Sequence, residues 1–131
     1  MKIKDVARGP QVLHLPPKLV AWIDKLPRRG PYVFADAKGE GKIATGTLDK
    51  AFRDTLGMAG VHVPQGWRSS LRTLARDAAD AEGRPLFSKD WIDAVADHSS
   101  GSAVTDRYIR AAAVAGGARV LAWWTEQLGA L

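Results

Sequence analysis

The sequence predicts a mainly α-helical protein with a small β-hairpin or strand element at its N-terminus. Apolar residues recur at spacings of three and four over most of the chain, which is typical of helices with one buried face. Alternation of apolar and polar residues is confined to residues 11–15, directly before two prolines. The 131 residues suit one small domain, and a hydrophobic fraction of 46% with five Trp is enough for a core.

The predicted extended segments lie in the first third of the chain. We expect residues 1–15 to form a hairpin strand region with its turn near residues 5–10, and residues 32–34 to form a short apolar strand. Gly39, Gly41 and Gly46 mark a loop that carries Lys38 and Lys42.

The predicted helical segments are bounded by residues that typically start or end a helix. A first helix begins at Pro16-Pro17 and stops at Pro27, and a second begins with Thr47 as its N-cap. A third is expected over residues 64–82, with an apolar stripe of Leu71, Leu74, Ala75 and Ala78.

Two serines are predicted caps in the C-terminal half. Ser88 caps a helix whose Trp91, Ile92 and Val95 face inward, and Ser102 caps the next helix. Gly116-Gly117 then separates a last helix. We therefore divide one domain, 1–131, into a hairpin strand region (1–15), a helical core (16–115) and a C-terminal tail helix (116–131).

The charge is unevenly distributed along the chain. The net charge is +5, but residues 1–53 carry 11 Lys and Arg against 5 Asp and Glu, whereas residues 54–131 carry 8 against 9. A basic lobe (residues 1–53) beside a nearly neutral remainder favours a polyanion partner, although a solvated basic surface explains it equally well.

Several classes of protein are disfavoured by composition. The chain has no Cys, which excludes disulfides and thiolate metal sites, and its three His are far apart in sequence. No apolar run approaches the roughly 20 residues of a membrane helix, and the N-terminus lacks the apolar stretch of a signal peptide. We expect a cytoplasmic protein with no membrane partner.

Four residues could carry chemistry, and each also has an ordinary structural explanation. Gln65 and Arg68 share one face at the start of the third helix, where a guanidinium and free backbone N–H groups suit a phosphate. Taken alone, Arg68 is better explained as a solvated surface residue. The helix dipole alone explains His98 at a helix C-terminus, and Tyr108 could be a core-edge tyrosine with a wet hydroxyl.

Taken together, these residues resemble a known signature. Gln65-x-x-Arg68, then Asp97-His98, then Tyr108 ten residues later is similar to the end of the tyrosine recombinase (phage-type integrase) motif, which reads His-x-x-Arg, Gly/Ala-His and Tyr. The flanking segments 66–73, 94–98 and 107–111 resemble the satellite-phage integrases, as does the final 122–128. The resemblance implies a truncated recombinase catalytic-domain fold.

The resemblance also implies a site and an activity. In the family, a tyrosine attacks a DNA phosphodiester, forms a 3′-phosphotyrosyl link and releases a 5′-hydroxyl, with neither metal nor other cofactor. By this resemblance Tyr108 is the nucleophile, Arg68 and His98 contact the phosphate beside Gln65, and Lys2 protonates the leaving oxygen, with Lys4 as the alternative. The expected partner is double-stranded DNA, which Lys4, Arg72, Lys38 and Lys42 would contact.

Three departures weaken the expected activity. The family's other catalytic Arg, which lies upstream of the hairpin, has no counterpart here, and losing one such donor costs on the order of 10²–10³ in rate. Gln65 replaces the usual His, so it can donate a hydrogen bond but cannot shuttle a proton at neutral pH. The segment from Arg68 to His98 is also longer than expected.

Two alternative functions and two arrangements of the last helix remain open. The chain could be a non-enzymatic DNA-binding remnant of an integrase, or a small regulator that reads DNA through the third helix. The last helix could dock on a neighbouring protomer through Trp123, Trp124 and Leu128 to form a homo-oligomer on DNA. Alternatively, these side chains pack within their own chain, which is then monomeric.

Overall fold

The prediction of a mainly helical protein is confirmed by a computed structural model, which describes residues 12–96 and 103–129, the side chains of 103–112 excepted. The described residues form five α-helices and no strand longer than an isolated bridge. The helices are α1 (Pro17–Asp24), α2 (Thr45–Lys50), α3 (Gly66–Asp77), α4 (Lys89–Val95) and α5 (Ala103–Gln127).

The boundaries of α1 follow the predicted proline signals. Pro17 is the first helical residue, where its missing N–H costs nothing. The Pro16 carbonyl accepts hydrogen bonds from the N–H groups of Leu19 and Val20, at 2.9 and 3.1 Å. The helix ends before Pro27, as expected.

The predicted strand elements are not found in the described part of the chain. Residues 12–15 have no regular structure, residues 32–34 form bends, and residues 1–11 lie outside the description. One bridge joins Ala35 to Lys42, with the Ile43 N–H donating to the Phe34 carbonyl at 3.0 Å. A strand needs a neighbour along its length, and no such neighbour lies among the described residues.

The second helix begins two residues before the predicted cap and ends in a wider turn. Thr45 is its first residue, and Thr47 lies in the first turn rather than at the cap. Residues Ala51–Thr55 continue it as a π-helical segment, in which the Leu56 N–H reaches the Ala51 carbonyl at 3.0 Å.

The buried core lies entirely in the C-terminal half of the described chain. No residue from 12 to 70 is buried, and the buried apolar side chains come from α3, α4 and its C-cap, and α5. They are Leu71, Ala75, Ile92, Ala96, Ala113, Val120 and Leu121. Phe87, Trp91, Val95, Trp123 and Trp124 pack around the central cluster. Helices α3 and α5 therefore share one core with α4.

The third helix is shorter than predicted, and its apolar stripe is narrower. It ends at Asp77, because residues 79–85 fold into a turn closed by a bridge between Ala79 and Pro85. The Asp80 carboxylate holds this turn by accepting the Arg84 N–H at 2.9 Å. Within the predicted stripe Leu71 and Ala75 are buried, but Leu74 is 50% exposed.

The predicted separate tail helix is wrong, because α5 is continuous from Ala103 to Gln127 and includes Gly116 and Gly117. Both glycines are buried, and a Cβ at Gly116 would overlap the ring of Trp91 on α4. They therefore permit close packing of the two helices instead of ending one. None of the helices in the described residues combines the length and hydropathy needed to cross a membrane.

The predicted capping of α4 is confirmed. Ser88 adopts an extended conformation, and its Oγ accepts the Trp91 backbone N–H at 3.3 Å. The same turn directs Trp91 and Ile92 into the core, as the spacing predicted. The connection from α3 to α4 is thus fixed at both ends, by the Asp80 turn and by this cap.

Candidate nucleic-acid interface

The predicted phosphate-binding residues lie at the start of α3. Gln65 is the N-cap residue, and its side chain forms no capping hydrogen bond. Gln65 and Arg68 are both exposed. Within the described side chains, Arg68 has no ion pair and no side-chain hydrogen bond, so its guanidinium is available to an anion.

The backbone at this helix start differs from the prediction. The N–H of Gly66 donates to the Val63 carbonyl at 2.8 Å, and the N–H groups of Trp67 and Arg68 donate three residues back at 3.3 and 3.2 Å. These donors are already used by a tight turn, so they are not free for a phosphate. Arg68 itself carries the positive charge of this helix end.

An aromatic cluster positions the same turn. The His62 ring contacts Trp67 edge-on, with centroids 4.7 Å apart, and lies 6.4 Å from the ring of Phe52. A Cβ at Gly66 would lie 2.6 Å from His62 Cε1, so only glycine allows this approach. The buried His62 Nε2 has no hydrogen-bond partner. This packing fixes Trp67, which is 46% exposed beside Arg68.

The structure describes only part of the remaining predicted catalytic residues. Tyr108 lies in α5, and its side chain is outside the description. His98, Lys2 and Lys4 lie outside the described residues. Their convergence with Arg68 on one phosphate therefore stays a prediction.

Two predicted DNA contacts lie on an exposed turn of the basic lobe. Asp36 Oδ1 accepts the backbone N–H groups of Lys38 and Glu40, at 3.0 and 3.2 Å. This turn exposes the side chains of Lys38 and Lys42. Neither amine has an ion pair among the described side chains, so both are free to contact a polyanion.

Arg72, which the resemblance also places against DNA, has different surroundings from Arg68. Its guanidinium lies 3.6 Å from Asp93 Oδ1 on α4, and its side chain is 35% exposed. Lys89 Nζ donates to the other oxygen of Asp93 at 2.6 Å. This hydrogen bond, with the attraction between the two charges, raises the pKa of Lys89. Asp93 thus links α3 to α4 and partly neutralises the two cations.

A cavity of about 270 Å³ opens between α3, α4 and their connection. Its polar lining is Arg72, Arg76, Lys89 and Asp93, and its apolar lining includes Phe87 and Ile92. Phe87 also packs edge-on against Trp123 of α5, with centroids 5.4 Å apart. The cavity therefore combines a net positive charge with an apolar surface.

Sequence reasoning missed this cavity and the role of Asp93. The spacing of Lys89 and Asp93, four residues apart, is the one signal that could have indicated an ion pair within a helix. Nothing in the sequence indicates that Arg72, 21 positions earlier, shares the same carboxylate. Within the described residues, no group of three or more His, Cys, Asp or Glu could hold a metal ion.

Comparison with known proteins adds no assignment. No family model, curated protein or solved structure matches the chain.

Proposed function

We propose that this chain is a portion of a tyrosine recombinase catalytic domain, which breaks and rejoins DNA through a 3′-phosphotyrosyl intermediate at Tyr108. The observation that carries the proposal is the spacing of Gln65-x-x-Arg68, His98 and Tyr108, together with their flanking residues. The packing of α3, α4 and α5 around one core supports it, because the motif is spread over these helices and their connections.

The exposure of Arg68 supports its proposed part in the reaction. An arginine that is open to solvent and has no carboxylate partner is accessible to a phosphate, and Arg68 meets both conditions within the described side chains. A guanidinium can donate two parallel hydrogen bonds to the non-bridging oxygens of a phosphate. These bonds strengthen as negative charge accumulates in the transition state.

The proposed step balances without a metal or an external energy source. The Tyr108 hydroxyl gives its proton to solvent water and its oxygen forms a bond to phosphorus, while the bond from phosphorus to the 5′-oxygen breaks. Lys2, or Lys4 in its place, gives a proton to that leaving oxygen. His98 and Gln65 donate hydrogen bonds to the phosphate. A 5′-hydroxyl of a second strand reverses the step and releases Tyr108.

The adduct itself provides the test. The chain is incubated with a nicked duplex that traps a covalent intermediate, and adducts are counted after denaturing electrophoresis. We expect a slow adduct that Tyr108→Phe abolishes and whose rate of formation Arg68→Ala reduces by about 10²–10³, the scale for removing one such donor. Arg119→Gln removes an equal charge from an exposed residue of α5, outside the basic lobe, and should leave the adduct unchanged. An adduct that survives Tyr108→Phe would refute the assignment.

The second candidate is a non-enzymatic DNA-binding remnant of the same family. Gln65 in place of His favours it, since an amide cannot transfer a proton at neutral pH. Duplex binding without any adduct would support this candidate. In both cases, phosphate contacts from the basic lobe should make the affinity fall steeply as salt rises, because binding releases counterions. Binding that does not depend on salt would argue against the basic lobe as the surface that contacts DNA.

A further inference from the structure

The cavity between α3 and α4 contains more cationic charge than its acidic residue can neutralise. Arg72, Arg76 and Lys89 line it, against the single carboxylate of Asp93. That carboxylate already accepts a hydrogen bond from Lys89 and lies in ion-pair distance of Arg72. The cavity therefore keeps a surplus of positive charge.

Both arginines also have unused hydrogen-bond donors. The contact between Arg72 and Asp93 is 3.6 Å long, which is an ion pair but too long for a hydrogen bond. Among the described side chains, Arg76 has neither a hydrogen bond nor an ion pair. Because the two lie four residues apart on α3, they are neighbours on one face of the helix. Two guanidinium groups in this arrangement suit the oxygens of a phosphate.

The size and lining of the cavity leave room for more than a simple ion. A volume of about 270 Å³ corresponds to several water molecules, each of which occupies about 30 Å³ in the liquid. Phe87 and Ile92 give this space an apolar surface, against which a ring can pack. A phosphate on a ring-bearing body would use both parts of the lining.

We propose that this cavity binds a nucleotide unit, with its phosphate held by Arg72 and Arg76 and its base or sugar against Phe87 and Ile92. The unit could belong to a DNA strand or to a free nucleoside monophosphate. The cavity is separate from the Arg68 position, and its proposed use does not depend on strand transfer by Tyr108.

The test uses the full chain and four probes: inorganic phosphate, thymidine, thymidine 5′-monophosphate and a short duplex. Binding is measured by calorimetry and by the NMR signals of the arginine side chains. We expect the monophosphate to bind more tightly than phosphate or thymidine and to shift the signals of Arg72 and Arg76. Arg76→Gln should weaken it about tenfold or more, the scale of one charged hydrogen bond. Arg76 is exposed, so the variant should fold.

A matched variant and a competition experiment complete the design. Arg28→Gln removes the same charge from the segment after α1, outside the cavity, and should leave the affinity for the monophosphate unchanged. If the duplex displaces the monophosphate, the nucleotide comes from DNA; if it does not, the ligand is a free nucleotide, and either result supports the site. Equal weakening by Arg76→Gln and Arg28→Gln, or thymidine binding as tightly as its monophosphate, would overturn it. Because the readout is equilibrium binding, it is separate from the adduct assay.

Discussion

Replacing Gly116 with alanine tests the close contact between α4 and α5. The new Cβ would overlap the indole ring of Trp91, which packs against the core. Overpacking of a well-filled core costs typically 1–3 kcal/mol, and alanine returns up to about 1 kcal/mol of helix propensity. Because the overlap is severe, we expect a net loss of about 2 kcal/mol in the free energy of unfolding.

The loss can be measured by urea unfolding followed by far-ultraviolet circular dichroism. With a urea dependence of about 2 kcal/mol per molar, the midpoint should fall by about 1 M. Gly46→Ala is the matched control, because Gly46 lies in α2 and no atom lies within 4 Å of the added Cβ. This control should raise the midpoint slightly through helix propensity alone.

A double variant sharpens the test. In a Trp91→Leu background the smaller side chain leaves room for the new methyl group, so Gly116→Ala should cost less than in the native chain. If Gly116→Ala stabilises the protein as Gly46→Ala does, the helices do not meet at this glycine. The reasoning about a continuous, closely packed α5 would then be refuted.

Three further predictions concern the connection between α3 and α4. Ser88→Ala removes the hydrogen bond to the Trp91 N–H and should lower the free energy of unfolding by about 1 kcal/mol, measured by urea titration; no change would show that the cap is not used. Asp93→Asn leaves Arg72 and Lys89 without their buried counter-charge and should lower the free energy of unfolding by about 1–2 kcal/mol. This is less than the loss expected for breaking a fully buried ion pair, because Lys89 is 80% exposed. A stabilised variant would contradict this expectation. Hydrogen bonds to the Asp80 carboxylate, from the Arg84 backbone N–H above all, lower the pKa of Asp80. The stability that Asp80 contributes should therefore be present above the ordinary aspartate pKa and be lost as pH falls through the lower folded value. NMR titration of the carboxyl group checks this, and an unshifted pKa would be inconsistent with the turn.

Local signals along the chain predicted much of the helical structure. Pro17 and Ser88 marked true helix starts, because each acts on backbone groups within one turn of itself. The inward positions of Trp91 and Ile92 followed from spacing for the same reason. Leu74 was misplaced, because helical spacing indicates a stripe but does not say where the neighbouring helix stops covering it.

The candidate site was predictable only in part. Gln65 and Arg68 could be placed at a helix start from sequence, and their exposure agrees with an open position. The tight turn that uses the nearby backbone N–H groups was not predictable, since it depends on how residues 62–67 pack. The cavity behind Arg76 could not be anticipated either, because residues from two helices and their connection form it.

What the sequence determined by itself is the helical class, the starts of α1 and α4 and the order of chemically capable residues, because these depend on groups close together along the chain. Tertiary structure alone decided that Gly116 and Gly117 lie inside a helix and that Arg72 shares a carboxylate with Lys89. A glycine ends a helix or admits a neighbouring ring according to what lies beside it in space. Whether an arginine is free or paired also depends on its neighbours in space, and the order of residues along the chain does not show which residues become neighbours.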